Sequence, residues 1–174
     1  MPKTLFLLTG LFLLLIVPQT AYARITPEDI LNDQREAYNQ RIKNYSPQNK
    51  QKLEEFEKKI ADFNKEKTNL LGELMERQGL ILDEYIRRTG VDPRYETDGI
   101  KRNLENDVEN TRYWLTYAHE AVAFQAAKVY VFNLTGQSNI NRDINSTISQ
   151  MYADLNGLRS KVIKSQKIIL DLVD

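Results

Sequence analysis

The chain has 174 residues, with 24 basic and 24 acidic side chains, one histidine and no cysteine. Those counts exclude thiol nucleophiles and Cys/His zinc centres, and one histidine cannot supply the two Glu-x-x-His units of a ferritin-like di-metal site. The balanced charge leaves no basic field for a phosphate backbone, so nucleic acid is not an expected partner.

Residues 1–23 read as a cleaved secretory signal peptide. Lys3 is the positive leader, Leu5 to Val17 the apolar run, Pro18 the helix breaker, and Ala21-Tyr22-Ala23 the small-residue pattern before a cut at Arg24. The alternative is an uncleaved N-terminal anchor, but 13 apolar residues fall short of the roughly 20 that span a bilayer as a helix. No membrane span is expected after cleavage. The remaining 24–174 have the length of a single domain able to bury its own core.

Thr26-Pro27-Glu28-Asp29 combines an N-cap residue, a proline at the first helical position and two acids in the positive first turn. Ile30, Leu31, Gln34, Ala37, Tyr38 and Ile42 follow at helical spacing, which predicts a first helix over about 27–44. Ser46-Pro47 repeats the start signal, and Gly90 followed by Asp92-Pro93 supplies the stop, so a second helix is expected over about 47–89. Gly72 and Gly79 lie inside it, marking either close approach of another helix or a bend. A third helix is expected over about 98–134, starting near Thr97-Asp98 and stopping before Gly136, and a fourth over about 140–173.

Apolar and small positions of the third helix reappear 40 residues later in the fourth. Val108, Thr111, Ala118, Val122 and Gln125 match Ile148, Met151, Leu158, Val162 and Ser165. Two heptad helices of similar length produce such a likeness without a duplication, and that reading is preferred. No stretch is read as a strand, and the expected fold is an all-α antiparallel bundle of three long helices. The shorter first helix is expected to complete a four-helix end.

Tyr113 to Leu134, YWLTYAHEAVAFQAAKVYVFNL, is almost wholly apolar. Docking of the first helix against a second seam of the third, Trp114, Tyr117, Ala121 and Phe124, would turn this passage into core. Charged residues inside and beside it argue against a membrane span.

No catalytic, metal or cofactor site is expected. The sequence contains no Gly-x-Ser-x-Gly elbow and no phosphate-cradling glycine loop, and the carboxylates interleave with lysine and arginine at helical spacing, as on a solvated face. Two classes of function remain. One is an exported, non-enzymatic binding or scaffold module of the cell envelope or extracellular space, with a protein partner or self-association. The other is a small-molecule carrier or sensor, with an aromatic pocket of Tyr38, Trp114, Tyr117, Phe124 and Tyr152 at the four-helix end. A holdase-type chaperone of the envelope is a further version of the first class.

Overall fold

The computed structural model describes residues 26–90 and 99–174, with side-chain environments from residue 106 onward in the second part. The signal peptide, its cleavage site, the Asp92-Pro93 stop and the Thr97-Asp98 start lie outside the described residues or at their margin.

Four α-helices make up the described chain: α1 Pro27–Ile42, α2 Pro47–Thr89, α3 Gly99–Ala126 and α4 Ile140–Val173. The fold is all-α, as expected. The caps form where the sequence places them. At α1 the Thr26 hydroxyl accepts from the Asp29 N–H at 3.2 Å, while the Asp29 carboxylate accepts from the Thr26 N–H at 2.8 Å. At α2 the Ser46 hydroxyl accepts from the Asn49 N–H. Gly90 ends α2 with φ 64°, and its N–H donates to the Ile86 carbonyl. That left-handed geometry is the one glycine adopts without a Cβ penalty.

α2, α3 and α4 pack pairwise along their length. Leu82 of α2 meets Val108 near the start of α3, and Met75 meets Ala118 further along, so these helices run antiparallel. Val122 of α3 shares a cluster with Leu158 and Val162 of α4. Ile60 of α2 packs with Met151 and Leu155 of α4, and the Gln78 amide donates to the Val162 carbonyl at 3.3 Å, so α2 and α4 are parallel.

Gly72 and Gly79 do not mark a close helix approach. A Cβ added at either would meet nothing within 4 Å, and α2 is continuous through both.

The third helix departs from expectation: it stops at Ala126, eight residues early, and the chain continues without helix to Thr135, with a tight turn where the Leu134 N–H donates to the Phe132 carbonyl. Two causes act together. The segment Val129-Tyr130-Val131-Phe132 is β-branched and aromatic, residues that lose χ1 freedom in a helix and suit an extended chain. In addition, the buried Asn64 side chain of α2 donates to the Gln125 carbonyl at 2.9 Å, taking an acceptor at the end of α3. Tyr130, Phe132 and Leu134 then point into the core beside Leu53, Ile60, Ile144 and Met151, while Val129, Asn133 and Thr135 face outward. This is period-two alternation in a segment read from the sequence as helix. The extended segment, the strap, closes the end of the bundle over α2 and α4.

α1 lies at this end but against the strap. Tyr38 and Ile42 pack on the strap cluster, the Tyr38 and Phe132 ring centres are 6.4 Å apart, and the Arg41 guanidinium donates to the Leu134 carbonyl. No residue of α1 is fully buried. The expectation that α1 covers Trp114 and Phe124 is therefore corrected: the strap occupies the place where α1 would have met the last turns of a longer third helix.

Two outcomes follow for stability. Gly72→Ala and Gly79→Ala should each stabilise the protein by up to about 1 kcal/mol, since the helix gains propensity and the methyl has room. Asn64→Leu should cost about 1–3 kcal/mol, because it leaves one hydrogen of Gln125 Nε2 without an acceptor in the core and removes one of the two donors to the Gln125 carbonyl. Urea titrations followed by circular dichroism would measure both.

Candidate functional site

A polar network fixes the α3–strap junction. Asn64 and Gln125 exchange two hydrogen bonds, Asn64 Nδ2 to the Gln125 carbonyl at 2.9 Å and Gln125 Nε2 to Asn64 Oδ1 at 2.8 Å. Gln125 Nε2 also donates to the Tyr130 hydroxyl at 2.7 Å, which donates in turn to Asp154 Oδ2 at 2.8 Å. Lys128 forms an ion pair with the same carboxylate oxygen at 2.6 Å. Burial pushes the Tyr130 hydroxyl well above the usual phenol range; the bond from Gln125 opposes this and Asp154 adds to it. At the other end of the strap, Asp143 accepts from the Thr135 N–H at 2.7 Å and from its hydroxyl at 2.9 Å.

Beside the strap lies a cavity of about 650 Å³, bounded by α1, residues 128–135 and the first turns of α4. Tyr38 lines it. Burial, with Glu57 and Glu54 nearby, pushes the Tyr38 hydroxyl up to about 12.

The five aromatic residues expected to share one pocket are distributed over three places. Tyr38 is at the strap cavity. Tyr152 is exposed on α4, edge-on to Phe63 of α2 with ring centres 5.4 Å apart. Trp114, Tyr117 and Phe124 do come together, but on an open face of α3. Phe124 is 68% exposed, and with Tyr117 it lines a groove of about 500 Å³ between α3 and α4. Its lining includes Ala121, Ala153 and Gly157, small residues that leave space between the two helices.

The upper part of this face is ordered by ring–ring and cation–π contacts. Tyr113 stacks on Tyr117 with an interplanar angle of 6°, and Trp114 stands edge-on to both. Lys164 of α4 places its ammonium 3.4 Å from the centre of the Trp114 ring, and Lys161 sits 4.8 Å from that of Tyr117. Contacts of this kind hold large side chains in place at the surface and are worth about 0.5–1 kcal/mol each where exposed. The arrangement offers apolar area and positive charge together. It carries no nucleophile paired with a base.

His119, the one histidine, is exposed on α3. Among the described residues no group of three or more His, Asp or Glu side chains is placed to hold a metal ion, and no helix is long and apolar enough to cross a membrane. Sequence reasoning missed the strap and its polar anchors. The alternation from Val129 to Thr135 was the available signal for the strap. Nothing local connects Asn64 with Gln125, 61 residues away. Comparison of the chain with family models, curated proteins and solved structures finds no match.

The Tyr38 shift implies an alkaline effect. An unfolded tyrosine ionises near pH 10 and the folded Tyr38 near 12, so its contribution to stability is complete below about pH 10 and is lost as pH rises towards 12. The unfolding free energy of the wild type should therefore fall more steeply over that window than that of Tyr38→Phe, as urea titrations at stepped pH would register.

Proposed function

We propose that the chain is an exported, non-enzymatic binding module whose protein partner docks on the α3–α4 face formed by Tyr113, Trp114, Tyr117 and Phe124. The observation that carries this reading is the exposure of three large aromatic side chains, Tyr113, Tyr117 and Phe124, beside a half-buried Trp114 on one face, with lysines of α4 seated on Trp114 and Tyr117. Aromatic residues presented in this way bury large area at low entropic cost and dominate the energetics of protein interfaces. The groove below Phe124 would receive a partner side chain. Export rests on the character of residues 1–23 in the sequence. The carrier reading draws support from one feature, the strap cavity of about 650 Å³, yet of the five expected aromatics only Tyr38 lines it.

A photo-cross-linking amino acid at position 124, with position 80 as an equally exposed control on α2, tests the docking face in extracts of the native source. The expected result is a discrete adduct from position 124 alone. Unlabelled wild-type chain should compete it away, and Tyr117→Ser/Phe124→Ser should not. An adduct of twice the chain mass would identify self-association through this face. Absence of an adduct, or the same adducts from both positions, would remove the basis for the reading.

A further inference from the structure

The strap carries a second surface that is independent of the aromatic face. From Val129 to Asn133, five consecutive backbone N–H groups donate to no acceptor among the described residues. The flanking groups are satisfied: the Lys128 N–H donates to the Gln125 carbonyl, the Leu134 N–H to the Phe132 carbonyl, and the Thr135 N–H to Asp143. Backbone polar groups of this kind seek a partner, and when the protein supplies none they remain for water or an incoming chain.

This open backbone is firmly held. Tyr130 is tied to Asp154 and Gln125 at one end, and Leu134 to Arg41 and Thr135 to Asp143 at the other. Tyr130, Phe132 and Leu134 are buried in the core beneath. In a segment anchored through alternate side chains, successive N–H groups point to opposite edges, so two or three of these five face either edge and are available to an added strand. The sequence Val-Tyr-Val-Phe suits that geometry.

We propose that the strap is a strand-addition site, and that it takes an extended, acidic peptide segment of a partner protein along the groove between the strap and α4. The cavity of about 650 Å³ runs beside residues 128–135 and falls within the size range of ligand clefts. Its charge selects the occupant. Arg41, Lys128 and Arg142 line it; Lys128 is paired with Asp154 and Arg142 with Asp143, which leaves Arg41 as the lining cation with no carboxylate partner. Arg41 bonds only neutral oxygens, the Leu134 carbonyl and the Asn133 side chain, so its charge is not neutralised locally. The α4 wall presents Ser146 and Gln150, hydrogen-bonding groups suited to a peptide backbone more than to the apolar face of a helix. The inference rests on the chain being a binding module, but it makes no use of Phe124 or its neighbours.

The test uses the chain from Arg24 onward and a fluorescein-labelled decapeptide of alternating valine and glutamate. Companion peptides are the valine–lysine version and a valine–glutamate version N-methylated at alternate amides. Anisotropy should show binding of the valine–glutamate peptide, weakened by salt, and a loss of about tenfold or more on N-methylation, as expected when two or more backbone hydrogen bonds are removed. Hydrogen exchange at Val129–Asn133 should be fast in the free protein and slowed by the peptide. Val131→Pro, which deletes one N–H and keeps an extended φ, should weaken binding, whereas Tyr117→Ser/Phe124→Ser should bind as the wild type does. No binding of the valine–glutamate peptide, equal binding of its N-methylated form, or binding of the valine–lysine peptide at similar strength overturns the proposal. If those results appear while cross-linking at position 124 succeeds, the strap proposal falls and the binding-module reading stands.

Discussion

The register of the bundle depends on one pair of amides. Asn64 and Gln125 are both buried, at 3% and 5% exposure, and each satisfies the other. A heptad slip between α2 and α3 would move them about 10 Å apart along the axis, leaving Asn64 in the core without its partner and Gln125 with only its bond to Tyr130. The cost would be about 1–3 kcal/mol for each stranded group, comparable with a sizeable part of the stability of a domain this size. The remaining seam is far less selective. Val108, Val122, Leu158, Val162 and Met75 are interchangeable in kind, and aliphatic residues at heptad spacing pack nearly as well one repeat along. Two other buried polar residues on the seam, Thr68 and Thr111, each donate to a carbonyl four residues earlier in their own helix, while Gln78 of α2 makes a longer bond of 3.3 Å to the Val162 carbonyl of α4. The two threonines tolerate a slip, and the Asn64–Gln125 pair does not.

The same pair links register to chain direction. By taking the Gln125 carbonyl, Asn64 supports the end of α3, and by donating to the Tyr130 hydroxyl, Gln125 steers the chain into the extended path that follows. The hydroxyl is then held by Asp154 of α4, so all three long helices converge on a few polar atoms. Networks of this kind favour one structure strongly when every member is satisfied, and are costly when one is missing.

Much of the architecture was legible in the sequence because it is encoded locally. Thr26 with Asp29, Ser46 with Pro47, and Gly90 are short-range cap signals, and each acts where it was read. The seam residues Val108, Ala118, Val122, Leu158, Val162 and Ile169 also occupy the core as their spacing implied. The end of α3 was not read correctly. Val129 to Thr135 alternates, but a strand is ordinarily recognised with a second strand and a turn beside it, and this one has neither. An apolar run continuing from a helix, without glycine or proline to interrupt it, resembles more helix. The placement of α1 followed from that error, since a longer α3 would have offered it a surface that the strap now covers. Of the expected pocket, Trp114, Tyr117 and Phe124 share one face of α3. Their exposure was not anticipated, because exposure depends on what lies opposite, and that was the element misplaced.

The early end of α3 explains why two unpartnered surfaces occur in a chain that could have buried both. Had α3 continued to residue 134, its backbone would have been satisfied internally, and α1 would have had a helix face available to cover. In the extended path, Tyr130, Phe132 and Leu134 fill the end of the core from a single layer of chain, which needs fewer residues than a helix turned inward on one face. The helix hydrogen bonds are given up in exchange, leaving five backbone N–H groups open, and α1 is drawn onto the strap by Tyr38, Arg41 and Ile42. Once α1 is there, Tyr113, Tyr117 and Phe124 stay exposed, with Lys161 of α4 over the Tyr117 ring. The open backbone and the open aromatic face are therefore two consequences of one local choice at Ala126. A substitution that restored helix through 127–134 would be expected to alter both surfaces together, whereas changes on either surface alone should leave the other intact.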